Sequence, residues 1–130
     1  MLRIGLDARV VVDSHVQAIS ASQTGPDVAV LTISHSGATH ETLAATRLAK
    51  DAGAKTIIVT NFSSSPLQAY ADVKLFTMAR ETKFRTEAMT SRIAQLCVLD
   101  ALIAALALAN YDRATETLRK TFDVLSLKRF

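Results

Sequence analysis

An α/β domain built on a parallel sheet is the fold class this sequence predicts, and three observations predict it. Short runs rich in β-branched residues alternate with longer runs of helical periodicity. Two of those runs, Val28–Ile33 (VAVLTI) and Lys55–Thr60 (KTIIVT), are dominated by apolar side chains, as expected of strands covered on both faces. Each is followed by a small polar loop and then a helix signal, which is the order of a βαβ unit. Helices on both faces of the sheet, a three-layer αβα arrangement, follow from that reading.

Each element has its own signal. Ala8–Val12 (ARVVV) reads as a first strand, and Val16–Ser22 as a short helix. Thr24-Gly25-Pro26-Asp27 is a turn, because Gly and Pro each interrupt regular structure. After Val28–Ile33, Ser34–Thr39 forms a loop of small residues. Thr39 is a candidate N-cap for a helix ending at Ala52, with Gly53 as its C′ residue. Lys55–Thr60 is the next strand, and Asn61–Ser65 a second polar loop. Pro66, favoured at the first position of a helix, opens a short helix to about Ala71. Val73–Thr77 (VKLFT) is the last strand, followed by helices over about Thr86–Asn110 and Arg113–Leu125.

Composition narrows the function classes. The 130 residues are 49% hydrophobic and 21% charged, an ordinary globular balance that argues against disorder and against a disulfide scaffold. One domain is the natural count at this length. The net charge is +3. A nucleic-acid surface would call for a dense stripe of Lys and Arg, which the chain lacks. Cys97 is the single cysteine, so an internal disulfide is impossible and a reducing, cytoplasmic setting is expected. The N-terminal residues carry charges every few positions and do not read as a signal peptide. The most apolar stretch, Ile93–Ala109, contains Gln95 and Asp100. It is short for a membrane span, and a mid-span carboxylate is costly in lipid. A helix buried inside protein is the expectation.

In an open parallel sheet, ligands bind beyond the carboxyl ends of the strands, where loops lead into helix N-termini. The loop Ser34-His35-Ser36-Gly37-Ala38-Thr39 is of this kind. Gly37 permits positive φ and close backbone approach. Ser34, Ser36 and Thr39 carry hydroxyl donors, and the following helix adds unpaired amides and a positive dipole end. These are the donors that take a phosphate monoester without Lys or Arg, with a protonated His35 as a further aid. Ordinary capping hydroxyls around a glycine turn account for the same letters, so both readings stand at this point. Asn61 and Ser65 of the second loop are candidate sugar contacts, or simply turn and cap. Beyond the last strand, Glu81 and Arg85 are within reach of a sugar, with Glu81 and Glu87 the carboxylates available for enolisation. The alternative is i, i+4 pairing of Glu81 with Arg85 and Lys83 with Glu87. His15, His35 and His40 do not share the spacing of a helical zinc site, so neither a metal nor any other cofactor is expected.

The run Val30–Thr42 (VLTISHSGATHET) resembles the phosphosugar loop of sugar isomerase (SIS) domains. The likeness continues through Ile57–Asn61, Ser65-Pro66-Leu67 and Glu87–Leu96 to Asp100-Ala101-Leu102. His35 between two serines, the Ser-Arg-Ile-Ala-Gln-Leu run and the following Asp-Ala-Leu are similar to the effector domain of RpiR/MurR-type bacterial transcriptional regulators. The resemblance implies a flavodoxin-like SIS fold with no catalytic residue. It implies a phosphorylated sugar ligand held by Ser34, His35, Ser36, Gly37 and Thr39. It also implies DNA binding through a helix-turn-helix domain absent from this chain. Compared with the family the first strand is missing; its place would lie between Ala8–Val12 and Val28–Ile33, so those two strands pair directly, or a partner chain covers the edge, or the chain is a fragment. An aldose–ketose phosphate isomerase of the same fold is the alternative function. The all-round apolar helix at 86–110 implies a homodimer through that helix, since one sheet covers only one side.

Overall fold

The computed structural model describes residues 1–62, 64–79 and 89–127. Its elements are α1 (Ser14–Ser22), β1 (Ala29–Ile33), α2 (His40–Asp51), β2 (Lys55–Thr60), β3 (Val73–Phe76), α3 (Met89–Ala109) and α4 (Tyr111–Ser126), with 3-10 turns at Leu2–Ile4 and Pro66–Tyr70. They fall into two compact units, Val11–Val98 and Met1–Val10 with Leu99–Phe130.

In the larger unit the three strands are parallel in the order β1-β2-β3, so the α/β class holds. Val30 pairs with Thr56 and Thr32 with Ile58, and the side chains of this set face α2. Thr32 Oγ1 lies 2.9 Å from Thr46 Oγ1 of α2, and Thr46 Oγ1 donates to the Thr42 carbonyl at 2.7 Å. Ala21, Ala49 and Ala54 form a small buried cluster under Val30 and Ala45, where the lack of bulk lets α1 and α2 approach the sheet. Residues expected to be shielded on both faces of β1 are only partly so: Val28 is 40% and Ile33 41% exposed.

Local rules account for the helix ends. The Asp13 carboxylate accepts the His15 and Val16 amides, each at 3.0 Å, and α1 therefore begins two residues before its expected start. Gly53, at φ 93°, ends α2 in the left-handed conformation that a C′ glycine supplies.

One expected strand is not there. Residues 8–12 are not part of any strand, and Val10 and Val12 are 90% and 85% exposed. A strand is held by its ladder, and among the described residues this segment has no ladder partner. β1 is consequently an edge of the sheet, and direct pairing of Ala8–Val12 with it does not occur.

At the amino ends of the strands, Asp72 ties three elements together. Its carboxylate accepts the Lys50 ammonium, the Thr56 amide at 2.9 Å and the Thr56 hydroxyl at 3.0 Å. Those bonds, the one from Lys50 first, hold its pKa far below the ordinary carboxylate range. A depressed pKa stabilises the fold above the unfolded value of about 4 and loses that contribution as pH falls through it toward the folded value. We expect the urea midpoint to fall more steeply between pH 5 and pH 2 in the wild type than in Asp72→Asn. Parallel profiles would refute the role.

In the smaller unit the turn at Leu2–Ile4 packs on α4, burying Ile4 and Ala114, and Arg113 Nη2 donates to the Gly5 carbonyl at 2.6 Å.

The apolar stretch expected to be buried is not. Nothing in α3 but Ser91 is buried, while Ile93, Leu96 and Leu108 are 63%, 53% and 71% exposed, and Cys97 is exposed as well. A helix that is apolar nearly all round needs cover on every side, and a single copy of the chain does not provide it. By length and composition alone α3 is long and apolar enough to cross a membrane.

Candidate functional site

The carboxyl ends of the three parallel strands lie along one edge, and the loop after β1 is built there by a set of short hydrogen bonds. The Gly37 amide donates to Ser34 Oγ at 3.1 Å, and the Ala38 amide to Ser36 Oγ at 3.2 Å. These two loop amides are therefore spent inside the loop. A hydroxyl that accepts from a backbone N–H keeps its own O–H to donate, and at Ser36, which is exposed, that O–H is open to an outside acceptor, whereas Ser34 is buried. Ser34 Oγ also lies 3.4 Å from Thr39 Oγ1.

Thr39 occupies the N-cap position of α2 in extended conformation (φ −63°, ψ 119°), yet its hydroxyl does not cap the helix. The amides of the first turn, at His40, Glu41 and Thr42, thus keep the unsatisfied donors and the partial positive charge of a helix start. Ser36, Thr39 and His40 are exposed, so these donors are open to solvent.

Gly37 has φ 61°, a conformation that residues with a Cβ adopt only at a cost. A Cβ built there would overlap Ser65 Oγ, lie 2.5 Å from Ser65 Cβ and 3.0 Å from Thr60 Oγ1. The Gly37 carbonyl accepts the Leu67 amide at 3.0 Å. The first and second loops are therefore in direct contact, as a shared site requires, and glycine is what allows it.

Two polar atoms at this junction, Ser65 Oγ and His35 Nδ1, are buried with no hydrogen-bond partner among the described residues. Ser65 is 8% exposed. Buried hydroxyls are satisfied in most proteins, so an orphan at a loop junction calls for a physical account. The His35 ring packs edge-on against Phe62, with centroids 5.5 Å apart at 71°.

Asn61 does something the sequence did not suggest. Its Oδ1 accepts the Ala79 amide at 2.7 Å and its Nδ2 donates to the Ala79 carbonyl at 3.1 Å. Both ends of the Asn61 amide are thus engaged by backbone, which leaves one N–H of its Nδ2 for a further acceptor. Thr60, which donates through Oγ1 to the His35 carbonyl at 3.3 Å, joins the site without any sequence cue beyond closing β2. Glu81, Arg85, Lys83 and Glu87 lie outside the described residues. Among the described residues, no group of three or more His, Cys, Asp or Glu side chains is placed to hold a metal ion.

Comparison with known proteins matches this architecture. The SIS domain family matches residues 8–105. An uncharacterised HTH-type transcriptional regulator of Caldanaerobacter subterraneus is 40% identical over 127 residues, covering 98% of this chain and 45% of the relative. The HTH-type transcriptional regulator RpiR of Escherichia coli K12 is 37% identical over 120 residues, covering 92% of this chain and 40% of the relative. The chain spans about half the length of the curated relatives it matches. Among solved structures, the NanR protein of Vibrio vulnificus complexed with ManNAc-6P superposes with a TM-score of 0.89 at 26% identity, covering 98% of this chain and 48% of that one. The sugar isomerase domain of an RpiR transcription factor from Sphaerobacter thermophilus shares the fold, with a TM-score of 0.71 at 23% identity over 83% of this chain and 58% of that one. With three-quarters of its residues inside the family match and the family's loop at the carboxyl edge of its sheet, this chain belongs to the SIS domain family.

Proposed function

We propose that the chain is one phosphosugar-binding SIS domain, the sensing part of an RpiR-type transcriptional regulator rather than an isomerase. A phosphate monoester would accept from the exposed O–H of Ser36, from the hydroxyl pair of Ser34 and Thr39 and from the open amides of α2. Ser65 would complete the cradle from the second loop, with His35 beside it. Gly37 contributes shape rather than a donor, and Asn61 positions the loops. The likeness to a NanR protein solved with ManNAc-6P supports a phosphorylated sugar as the ligand class. The relatives support a reading in which DNA is bound by another domain and the protein works in the cytoplasm.

A second copy of the chain is the proposed cover for α3. Ile93, Cys97, Ala101, Ala104 and Leu108 form one exposed stripe along the helix, with small residues at its middle that permit close helix approach.

The observation that carries the ligand reading is the orphaned Ser65 hydroxyl. A buried hydroxyl without a partner destabilises a fold, whereas a hydroxyl bonded to a charged ligand contributes about 1.5–3 kcal/mol to its binding. Ser65→Ala is therefore expected to leave the urea midpoint unchanged or raised, while weakening sugar 6-phosphate binding by about 10- to 100-fold in calorimetric titration. Loss of stability with unchanged affinity would overturn the assignment. Product formation from any sugar phosphate in a turnover assay would overturn the sensing role in favour of the isomerase.

A further inference from the structure

We propose that Asn61 is a positioning residue that links the anion loop to the chain leaving β3. The proposal rests on the phosphosugar reading of that loop. Asn61 follows the last residue of the central strand, with a neighbouring strand on each side. On one side its amide donates to the His35 carbonyl at 3.1 Å, the same oxygen that accepts the Thr60 hydroxyl. Both lone pairs of the His35 carbonyl are thereby used, so the peptide between Ser34 and Ser36 is fixed to the end of β2.

On the other side the Asn61 side chain takes over from the ladder. The β2–β3 pairing closes at Thr60 with Phe76, and the Thr77 amide still donates to the Thr60 carbonyl at 2.9 Å. Beyond that point no strand backbone reaches Ala79. The carboxamide of Asn61 offers one acceptor and one donor with the spacing of a peptide, and it binds the Ala79 amide and carbonyl as a ladder residue would. Thr77 Oγ1 also lies 3.3 Å from Asn61 Oδ1. One residue thus holds the peptide at the heart of the anion loop through its backbone amide and, four covalent bonds away, the exit of β3 through its carboxamide. A displacement of His35 when an anion binds is carried to Ala79 along this path, in both directions by reciprocity.

The test is a titration of the isotopically labelled chain with inorganic phosphate, followed by backbone amide resonances. In the wild type the Gly37 and Ala79 resonances are expected to move together with a common midpoint. In Asn61→Ala at saturating phosphate, Gly37 is expected to move as before while the Ala79 shift collapses. Asn61→Asp, which keeps an acceptor for the Ala79 amide but has no donor for its carbonyl, is expected to leave a partial Ala79 response even if the alanine variant does not fold. A wild-type Ala79 resonance that stays still while Gly37 moves overturns the link alone. An undiminished Ala79 response in a folded variant does the same. A Gly37 resonance indifferent to both phosphate and sugar phosphates overturns the link together with the site on which it rests.

Discussion

Gly37→Ala is expected to abolish ligand binding and to cost the fold about 2–5 kcal/mol, out of the roughly 5–15 kcal/mol typical of a domain. Two separate penalties add up to that figure. The backbone at φ 61° disfavours any residue with a Cβ by about 1–2 kcal/mol. The new methyl also meets Ser65 and Thr60 in a junction without slack, an overpacking penalty of about 1–3 kcal/mol. Relief by movement would separate the two loops and break the bond from the Leu67 amide to the Gly37 carbonyl. The penalties can be told apart in a double-mutant cycle, because Ser65→Gly removes the overlap but not the dihedral strain. Urea denaturation of the single and double variants should show partial recovery of stability, and calorimetry should show no recovery of sugar phosphate binding. A Gly37→Ala protein that unfolds at the wild-type urea midpoint would contradict the geometry of the loop.

Ile93→Glu is expected to turn a dimer into a monomer. Ile93, Cys97 and Leu108 of that stripe are all exposed on one copy. Burying six such side chains across a symmetric contact gives on the order of 6 kcal/mol or more before the entropic costs of association. A carboxylate placed on each copy in that contact is both desolvated and repelled by its twin, a penalty of several kcal/mol. The dissociation constant should rise by at least about 100-fold. Sedimentation velocity over micromolar concentrations reads the outcome directly. A wild-type chain that stays monomeric throughout, or one that pellets with neutral lipid vesicles while the variant does not, would remove the second copy as the occupant of α3.

Much of the larger unit was legible in the sequence because its signals are local. Val28–Ile33 and Lys55–Thr60 announce strands by β-branched density, and Gly53 and Pro66 mark the ends and starts of their neighbours. The loop Ser34–Thr39 was legible as a candidate site for the same reason: donors, glycine and helix start are contiguous. What was not legible depends on partners distant in sequence. ARVVV at 8–12 has the composition of a strand, but composition does not provide a ladder. Ile93–Ala109 has the composition of a core helix, yet composition does not say what covers it. Asn61 looked like a free polar side chain because Ala79, which engages both ends of its amide, is 18 residues away. The orphaned Ser65 hydroxyl is equally invisible in one dimension, since a lack of partners is a property of packing.

The threonines beneath α2 carry a consequence for how the chain avoids misfolding. Thr32 and Thr46 bond to each other, and the Thr56 hydroxyl donates to the Tyr70 carbonyl at 2.6 Å. Apolar contacts tolerate sliding, whereas directional bonds between hydroxyls do not. Were β2 to slip by a single residue, Thr56 and Thr60 would swap faces with their apolar neighbours and the hydroxyls of this layer would lose their mates inside a dry interior. A short three-stranded sheet with an edge strand on either side has few other safeguards against such errors, and these hydroxyls act as its proofreading.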